Sequence, residues 1–350
     1  MTLPLVSVIL PIRNEAQYIA RSLGSVLAQD YPPEMLETLV VDGMSDDGTR
    51  EILQEIIARH PGRPISLLDN PQRTKPAAFN IGLARAKGDV IIPVDGHCEL
   101  PPDYIASCLA KLRESDADCV GGQIVTIGET YTAQVIALAQ SSSFGVGGVA
   151  FRTGRKAEGY VDTVAFGAYK RQVFERIGGY RVELVRHQDY ELNLRLRQAG
   201  GKILYSPRIS SRYHCRGTLT KLAGQYFQYG YWKAQVSRDN PQAFRPRHVP
   251  PILLVLLILV GALSSILLPG MRLAFAVALA LYLLADFAAS VYVASAHGWR
   301  YLLLLPIVFP ALHMSWGAGF WVGMLSSLLR GRSVLNRCTS KVAEQSQEPL

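Results

Sequence analysis

Residues 252–268, ILLVLLILVGALSSILL, carry no charge, and a run like this limits what the chain can fold into, because roughly twenty apolar residues cross a bilayer as a helix. Two more apolar runs follow, LAFAVALALYLLADFAASVYVASA (273–296) and YLLLLPIVFPALHMSWGAGFWVGMLSSLL (301–329), separated by Pro269-Gly270 and His297-Gly298. A single run could be the buried helix of a soluble protein. Three in succession are read as a transmembrane region, 250–330, followed by a polar tail, 331–350. A lone ionisable group is expensive in such surroundings, so Asp286 and His313 are expected to pair with each other, or to line a path for a lipid head group.

Orientation is less constrained. With the head inside and three full spans, Arg330, Arg332, Arg337 and Lys341 of the tail would lie outside, against the positive-inside tendency. The third run, which contains Pro306 and Pro310, is therefore expected to re-enter or to split in two, returning the tail to the cytoplasm. The net charge of +8 comes with no nucleic-acid motif. Arg238, Arg245, Arg247 and His248, just before the first run, suit anionic membrane lipid instead. The cysteines at 98, 108, 119, 215 and 338 show no paired spacing, as in a reducing cytoplasm. The opening MTLPLVSVILPIRNE lacks a basic start and a cleavage site, and reads as a first strand rather than a signal peptide.

Ahead of the apolar runs, strand-like and helix-like segments alternate. Expected strands are 6–12, 38–43, 65–69 and 89–95, and expected helices are 15–29, 47–60 and 75–88. Ser45, Asp46 or Asp47 would cap the second helix, and Pro61-Gly62 would stop it. This rhythm predicts an α/β fold, a mainly parallel sheet with helices on both faces. Ligands of such sheets bind beyond the carboxyl ends of the strands, where Asn14, Glu15, Asp42 and Asp95 fall. The edge has no glycine-rich phosphate loop and is acidic. A divalent cation between carboxylates and a diphosphate would reconcile the two.

The segments VSVILPIRNE, VVDGMSDDGT, KPAAFNIGL, PVDGHCE and RHQDYELNLRLRQAG stand in the order seen in inverting family 2 glycosyltransferases of GT-A fold. The resemblance covers residues 1–235, including a helix at 218–238. It is strongest to membrane-anchored exopolysaccharide glucosyltransferases of the succinoglycan type, which also carry equivalents of VDTVAFGAYKR and QYFQYG. It implies a UDP-sugar donor bound by Pro11, Asn14, Glu15, Asp42, Lys75, Asn80 and Asp95. It also implies Mn²⁺ or Mg²⁺ as cofactor. Asp95 matches the first acid of the family's Asp-x-Asp, and His97 replaces the second. Neutral imidazole suits Mn²⁺ better than Mg²⁺. Glu99 alternates onto the same side if the segment is extended, and His214 matches a late histidine common in GT-A enzymes. Asp95, His97, Glu99 and His214 are therefore the expected metal ligands.

By the same resemblance Asp189 is the general base that takes the proton of an acceptor hydroxyl, with Gln188 and Glu191 beside it. Gln225, Tyr229 and Trp232 are assigned to the acceptor side. The aromatic-rich 218–239 is expected to lie along the membrane surface, and the Ser-Gly-rich 139–154 to form a flexible acceptor loop. Gln225 lacks the Arg-Trp that follows it in processive synthases, which favours addition of a single hexose. The implied partners are a UDP-sugar, a polyprenyl-linked saccharide and membrane lipid. A polyprenyl-phosphate glycosyltransferase, a processive synthase and a non-catalytic sensor of nucleotide sugars stay open as alternatives.

Overall fold

The computed structural model describes residues 3–215 and 217–330. It divides into two compact units, Met1–Ile127 with Val149–His214, and Gly128–Gly148 with Cys215–Leu350. The second unit thus takes 128–148 out of the head expected at 1–235, along with everything after His214. Arg332, Arg337, Cys338 and Lys341 fall outside the described residues, as does the side chain of Arg330.

The first unit opens with β1 (Val6–Ile12), α1 (Ile19–Leu27), β2 (Leu36–Asp42), α2 (Thr49–Arg59), β3 (Ile65–Asp69), α3 (Lys75–Arg85) and β4 (Val90–Pro93). Every residue of β1 is buried, as a strand covered on both faces must be. Ile19, Leu23, Val26 and Leu27 of α1 recur at helical spacing and are all buried. Of the three expected caps of α2, Asp47 meets the first turn, where its Oδ1 accepts the Thr49 N–H at 3.1 Å. Gly48 between them takes φ +90°.

Next come β5 (Cys98–Glu99), α4 (Tyr104–Glu114) and β6 (Cys119–Ile127); the second unit's α5 (Tyr131–Gln140) and α6 (Ser143–Val146) follow. The first unit resumes with α7 (Ala150–Thr153), β7 (Gly159–Tyr160), β8 (Ala168–Lys170), α8 (Arg171–Ile177), α9 (Gln188–Gln198) and β9 (Ile203–His214). The sheet runs β3-β2-β1-β4-β8-β6-β9-β5, with β7 also on β9. Strands β1 to β4 are parallel, as expected. Beyond β4 the sheet is mixed, because β8 runs antiparallel to both β4 and β6 and β5 antiparallel to β9. Strands of two or three residues carry no readable periodicity, so the alternating segments predicted only the parallel half. Leu192 and Leu196 of α9 join Ile9, Phe79, Ile91, Tyr169, Phe174 and Tyr180 in the core.

Residues 139–154, expected as a loop, instead hold the end of α5 and the single-turn helices α6 and α7. Ser142 caps α6 by accepting the Gly145 N–H at 3.0 Å, and Gly147 and Gly154 end α6 and α7 in the left-handed region. One-turn helices are set by their caps and leave no repeat in the sequence.

In the second unit, α10 (Leu219–Asp239), α11 (Val249–Leu267), α12 (Met271–His297) and α13 (Leu305–Arg330) follow. Residues Pro246–Leu267, Met271–His297 and Leu305–Leu329 are long and apolar enough to cross a membrane. Leu259, Leu263, Ile266, Leu273 and Leu284 stand more than half exposed on α11 and α12. An exposed apolar surface of this size suits contact with a membrane or with another protein. The third run is one continuous helix through Pro310, so it does not split.

Helix α10, expected along a membrane surface, pairs lengthwise with α13. Phe227 meets Gly319 and Tyr231 meets Gly323, while Gln235 bonds Ser327 and Arg238 donates to the Ser327 carbonyl. The steady offset makes the two helices parallel. Gly319 and Gly323, a small-xxx-small pair, let the backbones approach closely. The expected Asp286–His313 pair does not form. The His313 ring nitrogens are taken by the Tyr282 hydroxyl at 3.0 Å and the Phe144 carbonyl at 2.8 Å, and Asp286 is buried apart from that bond.

A Cβ at Gly319 would lie 2.0 Å from the Phe227 carbonyl oxygen, whereas one at Gly224 of α10 would meet nothing within 4 Å. Gly319→Leu is therefore expected to destabilise the detergent-solubilised protein by about 1–3 kcal/mol, the usual cost of overpacking, and Gly224→Ala to keep or slightly raise its melting temperature, because alanine favours a helix over glycine. Equal melting temperatures for the two variants would remove the close packing of α10 on α13.

Candidate active site

The parallel strands end together, and the loops beyond them are sewn to one another. After β1, Asn14 takes φ +54°. Its N–H donates to Ser45 Oγ at 2.9 Å, and its amide exchanges bonds with the Asp46 carboxylate and N–H at 2.8 and 3.1 Å. The Glu15 N–H donates to Thr49 Oγ1 at 2.8 Å and the Ala16 N–H to Asp47 at 3.1 Å. Met44, Arg73 and His187 are also left-handed without being glycine. Such strain collects where the surrounding structure holds a loop for use.

Asp42 ends β2 fully buried. Its carboxylate accepts Ser45 Oγ–H at 2.6 Å and Arg50 Nη1–H at 3.2 Å, and Arg50 reaches Asp69 at 2.7 Å as well. Pro11 is buried inside β1, one residue before its end. Asn80 faces the protein: it donates to the Tyr180 carbonyl at 2.7 Å and accepts the Tyr180 N–H at 2.8 Å. In this arrangement Asn14, Asp42 and Asn80, all expected to bind the donor, hold loops in place.

The Asp95 carboxylate is ion-paired with Lys75 Nζ from the start of α3. Burial, the largest effect on Asp95, raises its pKa; Lys75, His97 and Arg186 outweigh that and leave it lowered. His97 bonds Glu15 Oε1 through Nδ1 at 2.8 Å. A carboxylate only accepts, so the His97 proton sits on Nδ1. His214 bonds Glu99 Oε1 through Nε2 at 2.7 Å and stacks on Tyr18 at 5.0 Å. Pairing of β5 with β9 brings these two residues together, Glu99 lying opposite Arg212.

The expected metal set thus divides into three pairs: Asp95 with Lys75, His97 with Glu15, and Glu99 with His214. Among the described residues no group of three or more His, Cys, Asp or Glu is placed to hold a metal ion. As arranged, the residues do not fit a resident metal. The physical reason is that each carboxylate already meets an ammonium or a ring N–H.

At the start of α9, Asp189 is half-buried between buried Gln188 and Tyr190. Glu191 is buried and accepts Arg195 Nε–H at 2.8 Å, with Arg181 Nε at 2.9 Å. Arg195 also donates to the carbonyls of Ile177 and Gly179, which fixes the turn before Tyr180. Burial pushes the Tyr180 hydroxyl well up, and Asp189 and then Asp95 add to it. Gln225, Tyr229 and Trp232 lie on α10, in the second unit. Arg50, Tyr180, Arg186 and Arg195 were not singled out from the sequence. For Arg195 a signal was present, its i, i+4 spacing from Glu191 on a helix.

The glycosyl transferase family 2 profile matches residues 7–178. Succinoglycan biosynthesis protein ExoA of Rhizobium meliloti is 31% identical over 321 residues, covering 91% of this chain and 94% of that protein. A Methanococcus voltae enzyme, dolichyl N-acetyl-alpha-D-glucosaminyl phosphate 3-beta-D-2,3-diacetamido-2,3-dideoxy-beta-D-glucuronosyltransferase, is 31% identical over 242 residues, 67% of this chain and 74% of the enzyme. Among solved structures, mannosyltransferase PcManGT of Pyrobaculum calidifontis, in complex with GDP-Man and Mn²⁺, superposes with a TM-score of 0.57 at 20% identity, covering 95% of this chain and 89% of that one. At that identity the likeness is one of fold.

Asn80→Ala removes both bonds to the Tyr180 backbone and leaves that N–H and carbonyl without this partner. It is expected to lower stability by about 1–3 kcal/mol, read by denaturant or thermal unfolding. An unchanged unfolding midpoint would return Asn80 to a role in ligand contact alone.

Proposed function

This chain belongs to glycosyl transferase family 2, and from that premise we propose that it moves a single hexose, glucose from UDP-glucose, onto a polyprenyl-diphosphate-linked saccharide during envelope or exopolysaccharide assembly. The observation that supports the reading is the placement of two acids in the family 2 fold, Asp95 after β4 in an ion pair with Lys75 and Asp189 half-exposed in the first turn of α9. One acid stands at the strand edge where a nucleotide diphosphate binds. The other stands in the first turn of α9.

In the proposed step the acceptor hydroxyl attacks the anomeric carbon, and the bond from that carbon to the diphosphate oxygen breaks with UDP leaving. Asp189 takes the hydroxyl proton. A sugar hydroxyl is a poor nucleophile, and one carboxylate within hydrogen-bond reach makes it competent. Attack from the face opposite the diphosphate inverts the centre and needs no covalent sugar–enzyme intermediate. Lys75 and Arg186, the cations that act on Asp95, would offset the charge that grows on the leaving diphosphate. Glu191, held by Arg181 and Arg195, fixes the first turn of α9 and with it the base.

The apolar helices α11, α12 and α13 support an acceptor presented at a membrane, with the catalytic unit facing the cytoplasm, where nucleotide sugars are made. The Methanococcus voltae relative is by its name a transferase to a dolichyl-phosphate-linked sugar, and the Rhizobium meliloti relative a protein of succinoglycan biosynthesis. The first favours a polyprenyl-linked acceptor, and the second a role in exopolysaccharide assembly. PcManGT was solved with Mn²⁺, but the paired arrangement of Asp95, His97 and Glu99 supplies no three-ligand site, so no step here is assigned to a metal.

Membranes containing the protein, UDP-glucose labelled in the sugar and a polyprenyl-diphosphate-galactose acceptor test the reading. Label is expected in the lipid fraction only when the acceptor sugar is present. Asp189→Asn is expected to lower transfer by about 10²–10⁴, the usual worth of a general base, while UDP binding holds. Wild-type turnover in that variant would dismiss Asp189 as the base. Labelling of bare polyprenyl phosphate would replace the acceptor assignment.

A further inference from the structure

The three apolar helices are not placed alike within the second unit. We propose that only α11 and α12 enter the bilayer, as a hairpin, and that α13 lies beside α10 on the lipid head groups. The chain then crosses the membrane twice and brings its tail, 331–350, back to the side from which it entered. The proposal rests on the membrane association in the reading above and on none of its chemistry.

The middle of α13 is decisive. Gly317, near the centre of Leu305–Arg330, lies against the start of α11: a Cβ there would stand 2.1 Å from the Pro251 carbonyl oxygen. Trp321 Nε1 donates to the Ile252 carbonyl at 3.1 Å, and Trp316 stacks on His248 at 5.5 Å. Arg245 and Arg247 come just before α11. Were α13 a span, its middle would sit at mid-bilayer and hold these residues near it, where charge is expensive. Helix α11 would also start at that depth. Its 19 residues rise about 29 Å, close to the whole hydrocarbon thickness, so much of that apolar length would run out into water.

The neighbours of α13 agree. Its second half runs beside α10, which carries Lys221, Lys233, Arg238 and Asp239 and is too charged to be a span; Arg238 donates to the Ser327 carbonyl at 2.6 Å. Its first half meets α6, with the Phe309 ring 5.1 Å from that of Phe144 and His313 bonded to the Phe144 carbonyl. Val322, Leu325 and Leu329 stay exposed on α13 at helical spacing, the mark of a helix lying in an interface. The hairpin differs. Helices α11 and α12 pack on each other, a Cβ at Gly261 falling 2.4 Å from the Phe275 ring. Near the Pro269-Gly270 tip, Arg272 donates to the Ser265 carbonyl at 3.0 Å. Leu281 and Leu283 of α12 are both more than half exposed, although about 200° apart around the helix. Lipid, which surrounds a hairpin, covers both; a protein partner on one face does not.

Labelling of the full-length protein by a membrane-impermeant maleimide in sealed right-side-out vesicles tests this, with labelling in detergent as the reference. Cys338 reports the tail, since Cys98, Cys108, Cys119 and Cys215 are buried. In a Cys338→Ser background, Gly270→Cys reports the hairpin tip, where a Cβ meets nothing within 4 Å, and Arg59→Cys reports the exposed end of α2. Gly270→Cys is expected to label from outside, and Cys338 and Arg59→Cys only in detergent. Cys338 and Arg59→Cys on opposite sides would make α13 a span and overturn the proposal, as would all three on one side. Cys338 and Arg59→Cys both outside, with Gly270→Cys inside, would keep the proposal and overturn the cytoplasmic orientation read above. Depth gives a second readout, in a variant carrying Trp232→Phe and Trp299→Phe. Lipids brominated near the head groups are expected to quench Trp316 and Trp321 more than lipids brominated near the chain ends; equal quenching or the reverse order would overturn the proposal.

Discussion

Carboxylates crowd the carboxyl edge of the parallel strands, and each of those described here stands because a donor faces it. Asp42, with no exposed surface, is held by Ser45 and Arg50. Asp47 is spent on the N–H groups of Ala16 and Thr49, Glu99 on His214, and Asp95 on Lys75. A buried carboxylate without such a partner would cost several kcal/mol or take up a proton. The loops that supply these donors follow different strands, so compensation of charge also fixes where the strand ends stand relative to one another. The fold of this edge and its electrostatics are one constraint.

This explains which features were legible in the sequence. β1 and β3 appear at the residues expected of them, Val6–Ile12 and Ile65–Asp69; β1 is legible because a strand buried on both faces is written as a mostly apolar run. The apolar C-terminal helices were legible for the same reason. Pairing among polar side chains was not. Asp95, His97 and Glu99 share one short segment, and alternation alone would aim them together. Their partners, Lys75, Glu15 and His214, come from three other places in the chain and draw them apart. Arg50, in the first turn of α2, and Arg186, in a loop, stayed invisible because a lone arginine carries no pattern until the chain is folded.

The second unit shows the same division. Length and apolarity marked three helices, yet the partner of α10 was written in two glycines of α13, which no apolar run picks out. The α10 backbone at Phe227 and Tyr231 packs where Gly319 and Gly323 leave room. Polar groups inside this unit follow hydrogen bonding rather than charge. His313 satisfies both ring nitrogens with a hydroxyl and a carbonyl, which a neutral imidazole can do and an ion pair with Asp286 would not.

Helix α9 resolves the remaining difficulty, which is how one acid is singled out as a base among so many. Gln188, Tyr190, Glu191, Leu192, Asn193 and Leu194 are all buried, so the helix is wrapped nearly all round and shows little of the one-sided pattern that marks a surface helix. Its rotation is set by Leu192 and Leu196 in the core, by Asn193, which accepts the Tyr169 hydroxyl at 2.8 Å, and by Glu191 under Arg195. With those positions turned inward, Asp189 is the acid of the first turn left half-exposed. Glu191, two residues on, has the same chemistry but is neutralised by two guanidinium groups. Burial, rather than residue type, separates the acid that can take a proton from the acid that holds the helix.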